Sequence, residues 1–356
     1  MRDKLHYFDK PTFLLMLLLS LTGVLLVYSA GHAGGHNYYW KQMIWLAVSL
    51  GAFLLMLRPK VETMFRFGFV LYVALLVLMA LQLVIGRTMA GTRSWVGVWG
   101  MGGQISEFIK IPLALYLART LAAIEAIDGR AFWRLTLIVG APVVLIVLQP
   151  DFGVSFILCS FLLTAVILKR VRLAVVAVAL VLVVAGGFAS WKYVLKDYQK
   201  SRLVSFMDPE RYRESSGYHV IQSRIAIGSG GLFGKGYLKG SQSQYQFLPT
   251  RHTDFILSVV GEEFGFVGVS VLFGMYFLLF YRQFRFKFES DEEYYFVFLF
   301  NGLVLFQFLV NVSVTVGLFP VLGVPLPFVS YGGSSLLSFF LGEAIIFKIK
   351  LSNYLA

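Results

Sequence analysis

Four stretches of this chain place reactive side chains together. "FLPTRHTDFILSVVGEEFGFVG", Phe247 to Gly268, sets Arg251, His252, Asp254, Glu262 and Glu263 beside or inside an apolar run. "GTRSWVGVWGMGGQISEFIK", Gly91 to Lys110, carries Arg93, Glu107 and Lys110. "QPDFG", Gln149 to Gly153, holds Asp151. "GLFPVLGVPLPFVSYGGSS", Gly317 to Ser335, offers Ser330, Tyr331 and Ser334 behind Pro320, Pro325 and Pro327. A carboxylate can take a proton, and cations and hydroxyls can hold a polar or anionic ligand.

Each stretch also has a plainer explanation. Glu107 and Lys110 are spaced i,i+3 and can meet on one helix face, as a structural ion pair or as a lysine presented to a phosphate or sugar. Asp151 can cap the helix that follows it, and Thr253 or Asp254 can cap theirs. A cap accounts for one acid but not for the two glutamates further down. At about 100° per residue, Ser258, Gly261, Gly265 and Gly268 all fall within about 40° of Asp254. Such a stripe packs closely on another helix or lines a groove. Glu262 lies beside that face at about 80°, and Glu263 opposite it at about 180°. Three prolines within eight residues preclude a regular helix before Ser330, and irregular backbone at membrane depth must be buried by protein or reached by water.

The elements that must position these residues are membrane spans. Of 356 residues, 58% are hydrophobic and only 14% charged. Apolar runs long enough to cross a bilayer recur from end to end. The expected fold is an all-α polytopic membrane protein, residues 1–356 forming one integral-membrane domain. Ten spans are predicted near 12–30, 42–57, 67–85, 105–123, 135–149, 152–168, 173–191, 254–281, 293–317 and 334–347. The apolar run after Arg2, Lys4 and Lys10 is read as a retained first span rather than a signal peptide. With a cytoplasmic N-terminus, every inner segment carries Lys or Arg, while the short outer segments hold only Lys41, Arg87, Arg93 and Lys110. This positive-inside pattern places both termini in the cytoplasm and all four motifs at the outer ends of spans.

One long extracytoplasmic loop, 192–253, remains. It holds ten basic and four acidic residues, half of the chain's net charge of +12. It reads as a solvated surface or as a basic cover over an anionic headgroup or diphosphate. Nucleic acid is not an expected partner on that face. Its "IAIGSGGLFGKGYLKGSQSQ" lacks the Walker pattern and a preceding strand, so these glycines serve tight turns or lie flat against the membrane surface. Trp95 and Trp99 suit the aromatic belt of the membrane interface. Cys159, the single cysteine, permits no disulfide within the chain.

"RSW…SEFIK", "QPDFG", "QSRIAIGSGGLFGKG", "FLPTRHTDFI" and "PLPFVSYGGSS", in order along the whole chain, resemble the SEDS family (shape, elongation, division and sporulation), its elongation members more than its division members. Ile105 departs from the family's usual proline. The resemblance implies a peptidoglycan glycosyltransferase that polymerises lipid II on the outer face of the bacterial cytoplasmic membrane during elongation and shape maintenance. It also implies a class B penicillin-binding protein as partner, and the family's essential acid falls on Asp254. Glycosyl transfer needs a base for the incoming hydroxyl, which Asp254 can supply, and stabilisation of the departing diphosphate. Arg93, Lys110 and the basic loop can supply that stabilisation. Glu107, Asp151, His252, Thr253, Glu262, Ser330, Tyr331 and Ser334 complete the candidate substrate-binding set. A divalent cation, Mg or Mn, suits the phosphate oxygens, and no organic cofactor is expected. The alternative is a lipid II flippase, but a transport path needs polar groups across the bilayer, and only Asn301, Gln307 and Asn311 stand out at mid-span.

The topology is directly testable. A membrane-impermeant reagent in intact cells should reach cysteines introduced at water-exposed positions in 192–250 and miss those in 282–290. Labelling of 282–290 would reverse the orientation.

Overall fold

A computed structural model of the chain describes residues 8–32, 34–35, 37–85, 87–89, 92–98, 101–171, 204–213 and 217–353, with isolated positions from 174 to 200; of 85–102 it describes the backbone alone. The expected span 173–191 lies almost wholly outside the described residues. Counterparts of the other nine are present. They are α1 (Lys10–His32), α2 (Tyr38–Met56), α3 (Val61–Ile85), α4 with α5 (Ile105–Phe108, Lys110–Ala122), α6 (Gly129–Leu148), α7 (Phe152–Leu168), α10 (Ile256–Phe284), α11 (Asp291–Val316) and α12 (Gly333–Asn353). Two more helices, α8 (Tyr218–Gly230) and α9 (Ser241–Gln244), lie inside the segment expected to be a loop. Among the described residues, six helices are long and apolar enough to cross a membrane. The chain is a multi-pass membrane protein.

The helices sort by what surrounds them. α5 and α11 pack together at the centre, with α7 against α11 and α3 against α5. α12 packs on α2, and α10 on α1 and α8. The outer helices turn Leu54, Phe67, Val84 and Leu137 outward, the pattern expected where lipid replaces water. Local signals set the ends. Ser290 caps α11 by accepting from the Glu293 N–H at 3.3 Å, and Asp291, Glu292 and Glu293 in the first turn oppose the helix dipole.

One element was not anticipated. β1 (Arg87–Met89), β2 (Thr92–Val98) and β3 (Met101–Gln104) form a small antiparallel sheet, with Trp95 opposite Gln104 and Val98 opposite Met101. The alternation in "TRSWVGV" before a glycine-rich turn is the strand signal, masked by the apolar spans on either side.

At the end of the bundle away from Asp254, three helix ends are fastened by one carboxylate. Asp9 accepts from Arg282 at 2.7 Å and from Lys350 at 3.0 Å, joining α1, α10 and α12. Burial alone would raise the Asp9 carboxyl, but Thr12, Lys350 and Arg282 together hold it well below the usual carboxylate range.

α1 crosses the proline-rich segment at Gly23. A methyl there would collide with the Val329 carbonyl oxygen and stand 2.8 Å from its Cα, whereas one at Gly51 on α2 would meet open space. Gly23→Ala should therefore lower the thermal unfolding midpoint in detergent, at a cost of about 1–3 kcal/mol. Gly51→Ala should leave the midpoint unchanged or raise it slightly, since alanine favours a helix over glycine. Equal midpoints for the two variants would refute the close-packing account.

Candidate active site

Asp254 sits in the turn over 250–255, just before α10 begins at Ile256. The cap position is Phe255, which has no side-chain oxygen to cap the helix, so Thr253 and Asp254 lie before the cap rather than at it. What holds the turn is its backbone. The His252 carbonyl accepts from the Tyr331 N–H at 2.9 Å, the Thr253 carbonyl from Ser330 Oγ at 2.5 Å, and the Asp254 carbonyl from Asn311 Nδ2 at 2.9 Å. Three successive carbonyls are thus each met by a donor from another part of the chain. The His252 ring stacks on Tyr38 at 4.4 Å and lies 5.8 Å from Tyr331. The Asp254 carboxylate faces Gly323, where a methyl would stand 3.8 Å from Oδ2.

The proline-rich segment is irregular, as three prolines require, and protein buries it. Asn311 Nδ2 donates to the Val324 carbonyl at 2.8 Å, and Gln307 Nε2 to that of Pro325 at 2.9 Å. Ser330 Oγ accepts from the Leu326 N–H at 2.8 Å. Gln42, fully buried on α2, donates to the Ser330 carbonyl at 3.2 Å and accepts from the Gly332 N–H at 3.4 Å. Phe328 takes a left-handed backbone (φ 64°), strained for an aromatic residue and held by packing against Phe339 and Phe340.

Glu107 and Lys110 form the expected i,i+3 pair at 2.8 Å, the intervening Ile109 between α4 and α5 keeping helical dihedrals (φ −61°, ψ −23°). Both are almost fully buried (2% and 1% exposed), so neither lines an open surface. Lys110 Nζ also donates to Gln307 Oε1 at 3.2 Å and lies 5.2 Å from the centre of the Phe339 ring. The pair is therefore linked through Gln307 to Pro325. Lys110 is thus a buried, paired cation rather than a free one.

Asp151 caps α7 through the Val154 N–H at 3.3 Å, and its second oxygen accepts from Gln104 Nε2 at 3.3 Å. Burial lifts its carboxyl to about 6, opposed by the Val154 N–H, helped by the Glu107 charge and opposed again by Lys110 and Gln104. α7 then abuts the proline-rich segment, where a methyl at Gly153 would stand 3.0 Å from Val324. Ser334, buried at the start of α12, adjoins Gly103 of β3. Arg93 is on β2, and its side chain lies outside the described residues.

The small-residue stripe packs on a helix. Ser258 Oγ meets Ser223 Oγ of α8 at 2.7 Å, and Gly261 faces Ile227. Glu262 does not face the Asp254 site. It is fully buried and accepts from Lys235 Nζ at 2.8 Å, the Gln242 N–H at 2.7 Å, and the Ser243 N–H and Oγ at 3.0 Å. Its expected substrate contact thus gives way to anchoring the segment before Asp254, because every donor around it belongs to that segment. Glu263 points the other way, as its angle required, and accepts from Ser29 of α1 at 2.5 Å.

The structure therefore gathers His252, Thr253, Asp254, Ser330 and Tyr331 in one clasp. Asp151, Glu107, Lys110 and Ser334 flank it, and Glu262 stands apart. Residues missed from sequence are the amides, Gln42 and Gln104, together with the role of Gln307 and Asn311. An i,i+4 pair of amides inside an apolar span was the available signal. Among the described residues, no three His, Cys, Asp or Glu side chains are grouped to hold a metal ion.

Comparison with known proteins follows the same lines. Residues 10–355 match the FtsW/RodA/SpoVE family, described as cell cycle proteins. Peptidoglycan glycosyltransferase MrdB of Escherichia coli K12 is 35% identical, with 98% of this chain and 94% of that one aligned. Rod shape determining protein RodA of Thermus thermophilus superposes with a TM-score of 0.72 at 28% identity, covering 98% of both chains. A chain from a peptidoglycan synthase complex, studied for its coordination of polymerization and crosslinking, gives 0.82 at 28% identity, covering 98% and 99%.

A double-mutant cycle tests the buried pair. Glu107→Gln or Lys110→Met alone leaves one charge in a dry interior and should destabilise the protein by about 3–5 kcal/mol, while the double variant should lose less than either. Additive losses in folded yield from detergent would exclude coupling.

Proposed function

The chain belongs to the FtsW/RodA/SpoVE family of cell cycle proteins, and from that premise we propose that it polymerises lipid II with Asp254 as the catalytic base. It is a membrane-embedded peptidoglycan glycosyltransferase acting in cell-wall growth and cell shape. The observation that carries the role of Asp254 is the clasp. Three consecutive carbonyls are fixed from α11 and the proline-rich segment, which sets a half-buried carboxylate against the close approach left by Gly323.

The acceptor sugar hydroxyl gives its proton to the Asp254 carboxylate as its oxygen attacks the anomeric carbon of the donor. The bond from that carbon to the lipid diphosphate breaks, and the diphosphate leaves with the electron pair. A single displacement of this kind inverts the anomeric centre. Ser330 and Tyr331 hold the turn that carries Asp254, and the His252 ring, stacked on Tyr38, forms one wall. Lys110 and Glu107 act at a distance by fixing Gln307 and hence Pro325. Arg93 and the basic residues of 192–253 supply positive charge to the leaving group. Mg or Mn, where required, would come with the substrate's phosphate oxygens as its main ligands, and no step here depends on it.

The active site faces the outside of the cell and both termini the cytoplasm, a reading supported by the Lys and Arg distribution. A class B penicillin-binding protein cross-links the strands alongside this chain, supported by its likeness to a chain of a synthase complex. The flippase alternative loses ground because the donor groups of the mid-span amides are engaged in holding backbone. Gln307 and Asn311 hold the proline-rich segment, and Asn301 Nδ2 donates to the Val297 carbonyl at 3.0 Å.

Asp254→Asn keeps the side-chain shape and cannot accept the proton. It should insert, fold and bind its partner at normal levels while losing lipid II polymerisation by about two to four orders of magnitude, the usual contribution of general base catalysis. Full polymerisation by well-folded Asp254→Asn would remove Asp254 from the chemistry.

A further inference from the structure

α10 is interrupted at Gly265, whose backbone (φ 65°, ψ −160°) lies outside the helical region. An unbroken helix would join the Phe266 N–H to the Glu262 carbonyl and the Val267 N–H to that of Glu263. Both amides and both carbonyls are instead taken by the segment that follows α8. Phe266 N–H donates to Gly231 at 2.9 Å and Val267 N–H to Leu232 at 3.1 Å. The Glu262 and Glu263 carbonyls accept from the Lys235 and Gly236 N–H groups, each at 3.0 Å. Two helical bonds are exchanged for four between segments. Residues 231–236 are thereby stitched into the wall of a membrane helix. Gly234 (φ 79°) is required there, because a side chain would run into the Glu263 backbone.

Two neighbouring helices give the depth of this segment. From Gly265 to Phe284, α10 runs 19 residues, about 28 Å at 1.5 Å per residue and close to the ~30 Å hydrocarbon thickness. On α1, the Leu25 carbonyl accepts from Tyr237 OH at 3.0 Å, and α1 continues seven more residues to His32, about 10 Å further toward the Asp254 end. The segment therefore descends alongside α1 and α10, well below the end of α1. Much of its polar surface is engaged by protein. The backbone is paired into α10, and the Lys235 ammonium is bound by the buried Glu262 carboxylate at 2.8 Å. What it turns outward is apolar. Leu232 and Phe233 are 65% and 80% exposed, continuous with Phe264, Phe266 and Val267 on the outward face of α10.

We infer that residues 231–237 form a re-entrant wedge that inserts Leu232 and Phe233 among the lipid acyl chains of the leaflet nearer Asp254. Irregular backbone survives at that depth only when its polar groups are satisfied by protein, and the Gly265 break supplies those partners. Lipid, rather than a partner protein or a second copy, is the occupant favoured by continuity with the lipid-facing side of α10 and by depth along α1. The wedge does not depend on which face of the cell that leaflet belongs to, nor on the catalytic role of Asp254.

The test is a collision measurement. Phe233→Cys and, separately, Leu232→Cys are made in a Cys159→Ser background, spin-labelled and reconstituted in phosphatidylglycerol–phosphatidylethanolamine vesicles. Phe266→Cys on α10 and Arg211→Cys on the exposed segment before α8 serve as lipid and water references. The ratio of collision rates with dissolved oxygen to those with a water-soluble nickel chelate should be several-fold higher at 232 and 233 than at 211, and close to that at 266. Ratios at both wedge positions equal to that at 211 would overturn the inference. Should labelling prevent folding, Phe233→Trp and acyl-chain brominated lipids give an independent reading. Added quenching relative to the unsubstituted protein supports insertion, and unchanged quenching refutes it.

Discussion

The site depends on how a protein in lipid satisfies backbone carbonyls that no helix can serve. Pro320, Pro325 and Pro327 keep the segment before α12 from forming a regular helix, and beyond the turn at Leu326–Ser330 its carbonyls need partners from elsewhere. Asn311 meets this need at two points, the carbonyls of Val324 and Asp254, and Gln307, one turn away, meets it at Pro325. In hydrocarbon an unpaired carbonyl has no water to turn to, so these amides are structural necessities as much as functional ones. One helix, α11, thereby fixes the relative position of the turn carrying Asp254 and the segment facing it.

The buried Glu107–Lys110 pair extends the same logic. A lysine that reached the ligand directly would have to leave its carboxylate partner, its amide contact and the Phe339 ring. Its place in the network favours stiffness over contact. On the proposed function, the charge that meets an anionic ligand would come from elsewhere, and ten of the chain's basic residues lie in the segment 192–253.

Much of this was legible in the sequence, for identifiable reasons. Long apolar runs such as 152–168 fixed helix positions closely because hydrophobicity in lipid has few competing explanations. The motif residues His252 to Asp254 and Ser330 to Tyr331 announced themselves as polar groups where polarity is expensive. Glu262 was misread because angular position on a helix says which face a residue is on, not what covers that face. The sheet over 87–104 was hidden because short alternation looks like noise between spans, and the break at Gly265 because a single glycine in a small-residue stripe has an ordinary packing explanation. Gln42 and Gln104 act through partners hundreds or tens of residues away, at Gly332 and Asp151, which no local pattern records.

The Asp9 fastening means that the bundle is tied at both tips. Three helices meet a single carboxylate at one tip, so drawing any one of them away there would strand a poorly solvated charge. At the other tip Ser29 of α1 is bonded to Glu263 of α10, and Gln42 of α2 holds the segment that leads into α12. Helices pinned at both ends resist splaying, so a growing strand would have to be admitted by the segments between spans rather than by parting of the rods.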